Sequence, residues 1–325
     1  MTITQLRAFV YAADQGSFTA AATMLGVSQP TISALIRKLE EHHELSLFIR
    51  AGRKLNLTAA GQELLIWARQ IVDTSDRADD ALIELRGIQR GSISLGVLRN
   101  ANFYFLSDLV EQFHRKRPNV RLRLFGQNSF EVVEGVRDGR LEAGIVALPV
   151  PDQELEVFPL IQDEVLWASA DPARVAAPVT IEQITSNPIV LYDASHSWND
   201  PTRRQLSERA QERGLRLEPL VEVEYLETAL DLVTRGIGDT MISRAAAQGK
   251  NFPKQLHCAP FAEPLYDTIA VVRRRNSIYS PAIIELIDLV SALLKKRANS
   301  AELPGTSELR LPTTAERPVA TTSES

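Results

Sequence analysis

A chain of 325 residues is long enough for two or three domains, and its 44% apolar content is ordinary for a folded protein. Its single cysteine, Cys258, excludes an internal disulfide and a multi-cysteine metal site, and no run nears the roughly 18 apolar residues that a membrane helix needs. The net charge of −5 argues against DNA binding only as an average: residues 1–58 carry Arg7, Arg37, Lys38, Arg50, Arg53 and Lys54 against Asp14, Glu40, Glu41 and Glu44. Phosphates respond to such local charge, because salt screens fields beyond about 10 Å. The opening MTITQLRAFVYAADQGSF has neither the basic cap nor the apolar run of a secretory leader, so a cytoplasmic protein with no membrane partner is expected.

Thr2 and Gln5 are spaced as a capping box, and Leu6, Phe9, Val10 and Ala13 follow at helical intervals. Asp14-Gln15-Gly16 ends that helix. Ser17 caps a second, alanine-rich helix over Phe18–Leu25, and Gly26-Val27 turns the chain. Ser28 caps a third helix with Pro30 in its first turn, where the missing N–H costs nothing. Ile32, Leu35, Ile36 and Leu39 form its buried face. The basic segment Arg50-Ala51-Gly52-Arg53-Lys54 lies between Leu47-Phe48 and Leu55-Asn56-Leu57 and reads as a hairpin whose tip is a wing. Thr58 opens a long helix to about Gly87. Along it Leu64, Ala68, Ile71, Ser75, Ala78, Leu82 and Leu85 recur at alternating heptad spacings, which predicts a dimer seam.

From Ser92 strands alternate with helices. The expected strands are Ser92–Val97, Val120–Phe125, Gly144–Ala147, Ile189–Tyr192, Leu220–Val223, Asp239–Ile242 and Asp267–Val272. The expected helices are Phe103–Arg117, Glu131–Asp138, Pro201–Arg213, Leu226–Arg235 and Pro281–Lys295. Alternation of this kind predicts parallel sheets, here in two small α/β lobes. Beyond Asn299 the chain is Thr, Ser, Glu and Pro with few large apolar residues, and disorder is expected. The reading is an α+β multidomain chain. Residues 1–58 form a winged helix-turn-helix, 59–88 a linker and dimerisation helix, 89–299 a regulatory domain and 300–325 a tail. Within the regulatory domain, lobe I takes about 92–161 and 267–299, and lobe II about 162–266.

The helix after Ser28 has the residue types that enter a major groove. Its start offers Ser28, Gln29, Thr31 and Ser33, short side chains and an amide that reach base edges, with Pro30 shaping the first turn. Gln29 matches an adenine edge two-fold, and Thr31 suits a thymine methyl. Arg37 and Lys38 are placed for phosphates, and Arg50 and Arg53 on the wing for a minor groove or backbone. Any one of these alone is an ordinary solvated residue; the ordered set is what carries the reading.

The stretches F-x-A-A-A-x-x-L-x-V-S-Q-P-x-I-S from Phe18, L-F-x-R-x-x-R from Leu47 and L-T-x-A-G from Leu57 resemble the LysR-type transcriptional regulator family. Weaker matching pieces are PNVRL from Pro118, GRLE from Gly139, YLETALDLVTRGIG from Tyr225 and YDTIAVV from Tyr266. The resemblance covers about residues 2–295. It implies a winged helix-turn-helix, a dimerising linker helix and a two-lobed, periplasmic-binding-protein-like effector domain. It also implies a homotetramer, a dimer of dimers, that binds a partly palindromic operator on double-stranded DNA and acts on RNA polymerase. The sequence departs from the family pattern at Ala34-Leu35, at His43-Glu44, where a Leu-Gly pair usually ends the recognition helix, and at Ser107.

In open α/β sheets ligands sit beyond the carboxyl ends of strands, against helix N-termini. The strand-to-helix junctions carry Asn100 and Asn102, Asn128 and Ser129, and Ser195 and His196. The family resemblance aligns Asn100 and Ser129 with effector contacts. Ala147-Leu148-Pro149 is the expected hinge, with Arg203 and Thr228 on neighbouring helix starts. Helix dipoles with Arg203 and His196 favour a small anionic effector; the plainer alternative is that Asn100, Ser129 and Ser195 are N-caps. No catalytic residue, metal ligand set or cofactor is expected: His42, His43, His114, His196 and His257 lack ligand spacing, and no nucleophile elbow or phosphate loop occurs. Two other readings remain at this point, a repressor that needs no ligand and an α/β ligand-binding or catalytic protein with a vestigial helix-turn-helix.

Overall fold

The hydroxyl of Thr2 accepts the N–H of Gln5 while the Gln5 side chain accepts that of Thr2, and this reciprocal cap starts α1 (Ile3–Gln15). The computed structural model describes residues 1–51, 54–84, 91–151, 154–275, 277 and 279–300. The tail, Gly52, Arg53 and Leu85 lie outside the described residues. Contacts divide the chain into two units, one built on Met1–Gly91 and the other on Ser92–Val136 and the chain from Leu141.

In the first unit α2 (Phe18–Leu25) starts at Ser17, whose hydroxyl accepts the Ala20 N–H, and stops at Gly26 with φ 65°. α3 (Gln29–His43) starts at Ser28, whose hydroxyl accepts the Thr31 N–H at 3.3 Å. Ala8, Ala12, Ala21 and Ala22 pack with Ile32 and Ile36, all buried. Small side chains at that junction let the three helices approach closely. The hairpin of β1 (Phe48–Ala51) and β2 (Lys54–Leu57) pairs antiparallel with Phe48 opposite Leu57. Glu40 fixes its entry, accepting the N–H groups of Leu47 at 2.7 Å and Phe48 at 3.3 Å. Thr58 fixes its exit, donating to Ser46 O at 2.7 Å and accepting from Gly61 N at 3.0 Å.

α4 (Ala59–Glu84) runs back along α1, tied by the ion pairs Arg7–Asp76 and Arg69–Asp14. This takes Leu64 and Ala68 out of the expected seam. Ala68 is fully buried with Val72, Leu6, Phe9, Val10 and Leu39, and Leu64 packs on the same cluster. That face is used within the chain. The apolar residues that α4 leaves exposed are Ile66, Trp67 and Ile71, followed by Ala78. A heptad count cannot tell a face covered by the chain's own domain from one awaiting a second copy.

The second unit opens with β3 (Gly91–Leu98), a 3₁₀ turn over Ala101–Phe103 and α5 (Leu106–Lys116). β4 (Val120–Gln127), α6 (Ser129–Arg137), β5 (Ala143–Leu148) and β6 (Leu155–Ser169) follow. Then come α7 (Ile181–Thr185), β7 (Val190–Leu191), α8 (Pro201–Glu212), β8 (Val221–Glu222) and α9 (Leu226–Thr234). β9 (Thr240–Ser243), α10 (Arg244–Ala247), β10 (His257–Arg274) and α11 (Pro281–Ser300) complete it. Six strands form one sheet in the order β4-β3-β5-β10-β6-β9. β3 and β5 are parallel, as are β7 and β8 in their own sheet. β10, however, runs antiparallel to β5 and β6, and β6 antiparallel to β9. The parallel expectation thus holds inside each α/β portion and fails at β6 and β10, which carry the chain between two separate cores. One core gathers Trp167, Leu191, Leu206 and Val233; the other gathers Leu95, Phe113, Ile145 and Ile283. None of the described helices is long and apolar enough to cross a membrane.

Two substitutions test the geometry that presents α3. A Cβ on Gly61 would lie 2.2 Å from the Leu47 carbonyl oxygen, so Gly61→Ala should destabilise the first unit by roughly 1–3 kcal/mol. Glu44 ends α3 with φ 53°, where a side chain is disfavoured, so Glu44→Gly should stabilise by about 1 kcal/mol. Thermal unfolding of both variants, with shifts of opposite sign, checks the pair.

Candidate functional site

The first unit presents the start of α3 to solvent. Ser28, Pro30 and Thr31 are exposed, Gln29 and Ser33 half-buried, and Arg37 and Lys38 exposed about two turns beyond the helix start. The Ser28 and Thr31 hydroxyls lie 2.8 Å apart, and Arg37 pairs loosely with Glu41 at 3.5 Å. Behind this surface Ile32, Ile36 and Leu39 are buried, so the polar face cannot turn inward. Arg50 lies on β1 opposite Leu55, and Arg53 lies outside the described residues.

In the second unit a cavity of ≈ 50 Å³ lies between the lobes, at the carboxyl ends of β3, β4 and β5. It collects Asn100, Asn128, Ser129 and Ala147 from lobe I. Ser129 orients the wall: its hydroxyl accepts the Ala147 N–H at 3.0 Å. The remaining expected effector residues are not in the lining. Asn102 and Thr228 are exposed elsewhere. Ser195 gives its N–H and hydroxyl to Glu224. His196 sits beside Phe130, with Nε2 3.8 Å from Glu131. Arg203 is completely buried, donating to the carbonyls of Tyr192 and Asp193, paired with Glu222 and stacked 4.9 Å from the Trp198 ring centroid. The hinge is also elsewhere than Ala147-Leu148-Pro149, because the chain passes between lobes inside β6 and β10.

The lining that the sequence reading missed is acidic. Asp193, Asp200 and Asp267 contribute carboxylates, and Glu227 adds a fourth. Among the described lining residues Arg99 is the one cation, and it already pairs with Asp193 Oδ1 at 2.9 Å and with Glu224. Asp200 caps α8 through the Arg203 N–H at 2.9 Å and accepts from Asn128 Nδ2 at 3.2 Å. Both contacts of Arg99, and that of Asn128, join lobe I to lobe II. Asp267 lies opposite Asp163 in the β10–β6 register, and the Thr202 hydroxyl reaches both its oxygens at 2.9 and 2.8 Å. Tyr104 OH donates to Asp163 at 2.6 Å. Burial, then the Asp200 charge, lifts Asp267 from 3.8 to about 8. Burial and Asp200 likewise lift Asp193 to about 7. The expected anion therefore loses its two cations, since neither Arg203 nor His196 faces the cavity. A usable signal was present: Asp267 is a charged residue inside the apolar run YDTIAVV, and Asp200-Pro201 is a helix cap.

Cys258 packs half-buried on the lobe II core, and burial pushes its thiol up to about 12. It stays protonated and is a poor nucleophile.

An exposed helix start with short polar side chains, on a chain that also carries a two-lobed α/β unit with an interlobe cavity, matches a DNA-binding transcriptional regulator with an effector domain. Residues 3–62 match the bacterial regulatory helix-turn-helix protein model of the lysR family, and residues 86–295 match the LysR substrate binding domain. The chain belongs to the LysR family of transcriptional regulators. It is 27% identical over 282 residues to the HTH-type transcriptional regulator YbhD of Escherichia coli (strain K12), covering 86% of this chain and 88% of that one. It is 29% identical over 300 residues to a probable hydrogen peroxide-inducible genes activator of Mycobacterium avium, covering 91% and 95%. Full-length OxyR from Pseudomonas aeruginosa shares the fold at a TM-score of 0.70 and 23% identity, covering 91% of this chain and 95% of that one.

The buried acids make stability depend on pH in a definite direction. Between about pH 4 and 8 the unfolded chain releases the Asp267 proton and the folded chain keeps it, so stability falls as pH rises through that window. Asp267→Asn cannot ionise and should flatten the slope. Melting both proteins at about pH 6 and about pH 9 should show the parent losing several degrees more than the variant; equal losses would mean Asp267 is solvated.

Proposed function

We propose that the chain reads specific operator DNA with the start of α3 and changes its transcriptional output when a small molecule occupies the cavity between the lobes. The polar set Ser28, Gln29, Thr31 and Ser33, exposed or half-buried and held by the Ser28 cap and the buried Ile32 and Ile36, is the observation that carries the DNA reading. Gln29, Thr31, Ser28 and Ser33 read base edges, and Arg37 and Lys38 hold phosphates, with Arg50 and Arg53 contributing from the wing. Asn100, Asn128, Ser129 and Ala147 are the effector contacts of lobe I.

The active species is an oligomer, and the exposed Trp67, Ile71 and Ala78 on α4 are its dimer face. A dimer of dimers on a partly palindromic operator, acting on RNA polymerase in the cytoplasm, completes the reading. The Mycobacterium avium relative is named for peroxide induction. That role does not transfer, because this chain's one thiol is half-buried against the lobe II core and stays protonated.

Gln29→Ala should cost about 1–3 kcal/mol on the specific operator and relax its sequence preference. Arg37→Ala should weaken binding to all sequences evenly and lower the salt slope by about 1. Gel retardation against operator and scrambled DNA at several salt concentrations separates the two; an unchanged preference in Gln29→Ala removes α3 as the reader. Ile71→Asp should convert the full chain to monomers in sedimentation velocity, since an unpaired charge in an apolar interface is costly. An unchanged sedimentation coefficient moves the dimer face off α4.

A further inference from the structure

Resting on the interlobe reading, we infer that the effector of this chain is a small organic cation, a protonated amine bearing no carboxylate, held by Asp267 and Asp200 across from Asn100 and Gln127. Three observations converge on it. First, the acids come from separate elements and meet at one cavity: Asp267 from the crossing strand β10, Asp200 from the start of α8, Asp193 from beyond β7. All three are nearly completely buried, at 8%, 8% and 6% exposure. Buried carboxylates without a cation are costly. Arg99 pairs with Asp193 and Glu224, and Arg203 lies near Asp193 and Asp200, but neither acts on Asp267.

Second, Tyr192 is 8% exposed and lines the same cavity, and its hydroxyl makes no hydrogen bond among the described residues. Its hydroxyl lies within electrostatic reach of Asp193, Asp200 and Asp267. A hydroxyl that borders the cavity without a partner is an open acceptor for an N–H donor. Third, the side chains of Asn100 and Gln127 also line the cavity and make no hydrogen bond among the described residues, so the lobe I wall offers two free amide groups whose oxygens can accept from a bound N–H donor. A ligand carboxylate would find no unpaired cation there. The cavity, ≈ 50 Å³, holds only about three to five waters' worth of space, which suits an ammonium of a few heavy atoms. Among the described residues no group of His, Cys, Asp and Glu has the arrangement to hold a metal ion, so an organic cation is the better match.

Protonation supplies a diagnostic. Asp267 faces Asp200 and the Thr202 hydroxyl on α8, Asp163 on β6, and the phenols of Tyr104 and Tyr192, with no cation in direct contact. It therefore carries a proton near neutrality. Binding an ammonium favours the carboxylate, so the proton leaves to solvent as the ligand enters, and affinity rises with pH up to the titration of Asp267.

The test is calorimetry of the full chain with ethylammonium chloride, sodium propionate and ethylene glycol at matched ionic strength, at about pH 6.5 and 8.5. Ethylammonium should bind saturably, roughly tenfold tighter at the higher pH, with about one proton released per ligand when buffers of different ionisation heat are compared. Asp267→Asn should abolish that binding, and Tyr192→Phe should weaken it several-fold while keeping the ring's packing. Ala147→Leu fills the cavity, and Asn100→Trp blocks its mouth should the first variant fold poorly; either should abolish binding. If propionate or glycol binds in place of ethylammonium, and cavity filling removes it, the cationic class is overturned and the interlobe site stands. If ethylammonium binds unaltered in every cavity variant, the interlobe reading itself fails. If none of the three binds, the inference is overturned.

Discussion

Two carboxylates face each other where the chain crosses between its lobes, and much of the second unit is arranged around them. Asp163 on β6 and Asp267 on β10 are register partners, buried on both sides of the ladder. Like charges directly opposite on a sheet repel, and burial weakens the screening of this pair. The structure answers with donors from three elements: Tyr104 and the Ala245 N–H on Asp163, Thr202 on Asp267. A proton on Asp267 removes the rest of the repulsion. Apolar residues of similar volume would serve stability better at such a site. Acids kept there at a cost to stability mark a place where binding, not folding, determines the residue type.

The first unit depends on closure of a different kind. Its reading helix is short and would fray alone, so each end is held by a specific contact. Ser28 caps the start. Glu40 reaches forward from the last turns to the backbone of Leu47 and Phe48, and Thr58 reaches back to Ser46. These two ties fix where the hairpin leaves α3, which a αL residue other than glycine at Glu44 would otherwise leave loosely determined. The departure from the family's Leu-Gly pair is thus absorbed by the chain's own hydrogen bonds rather than by a change of helix end.

Much of this was legible in the sequence, and the misses have physical causes. Caps at Thr2, Ser17 and Ser28 announce their helices because short-range hydrogen bonds decide helix starts. β6 escaped because LEVFPLIQDEVLWAS is buried at both ends of two different cores and does not alternate in polarity. The first half of β10 escaped for the same reason, with Pro260 and Pro264 breaking the pattern at a register shift. In the cavity, helix-start residues such as Ser129 and Asn128 could be read from local spacing. Asp267 leaves a local trace, a charge inside an apolar run, but that it shares a cavity with Asp193 has none, since the two meet only through the tertiary crossing of the lobes. Arg203 was read as a ligand group because a basic residue at a helix start usually faces solvent; here Glu222, Trp198 and two carbonyls enclose it.

The contacts across the cavity set what a ligand has to accomplish. Arg99 with Asp193 and Glu224, and Asn128 with Asp200, hold the lobes together without any ligand. A molecule that binds both lobe arrangements equally shifts nothing, however tightly it binds. Driving a two-state equilibrium from 1:99 to 99:1 takes about 5.5 kcal/mol of differential affinity. A ligand of three or four heavy atoms gains at most about 1.5 kcal/mol per atom, and only part of that distinguishes the two states. An effector confined to ≈ 50 Å³ can therefore act as a switch only if the lobe arrangements already lie within a few kcal/mol of each other. The described cross-lobe bonds run through half-buried Arg99 and Glu224 and buried Asp193, Asn128 and Asp200 rather than through a continuous apolar seam; opening them returns the buried carboxylates to water, and that recovered desolvation cost offsets much of the bonds lost and keeps the gap small.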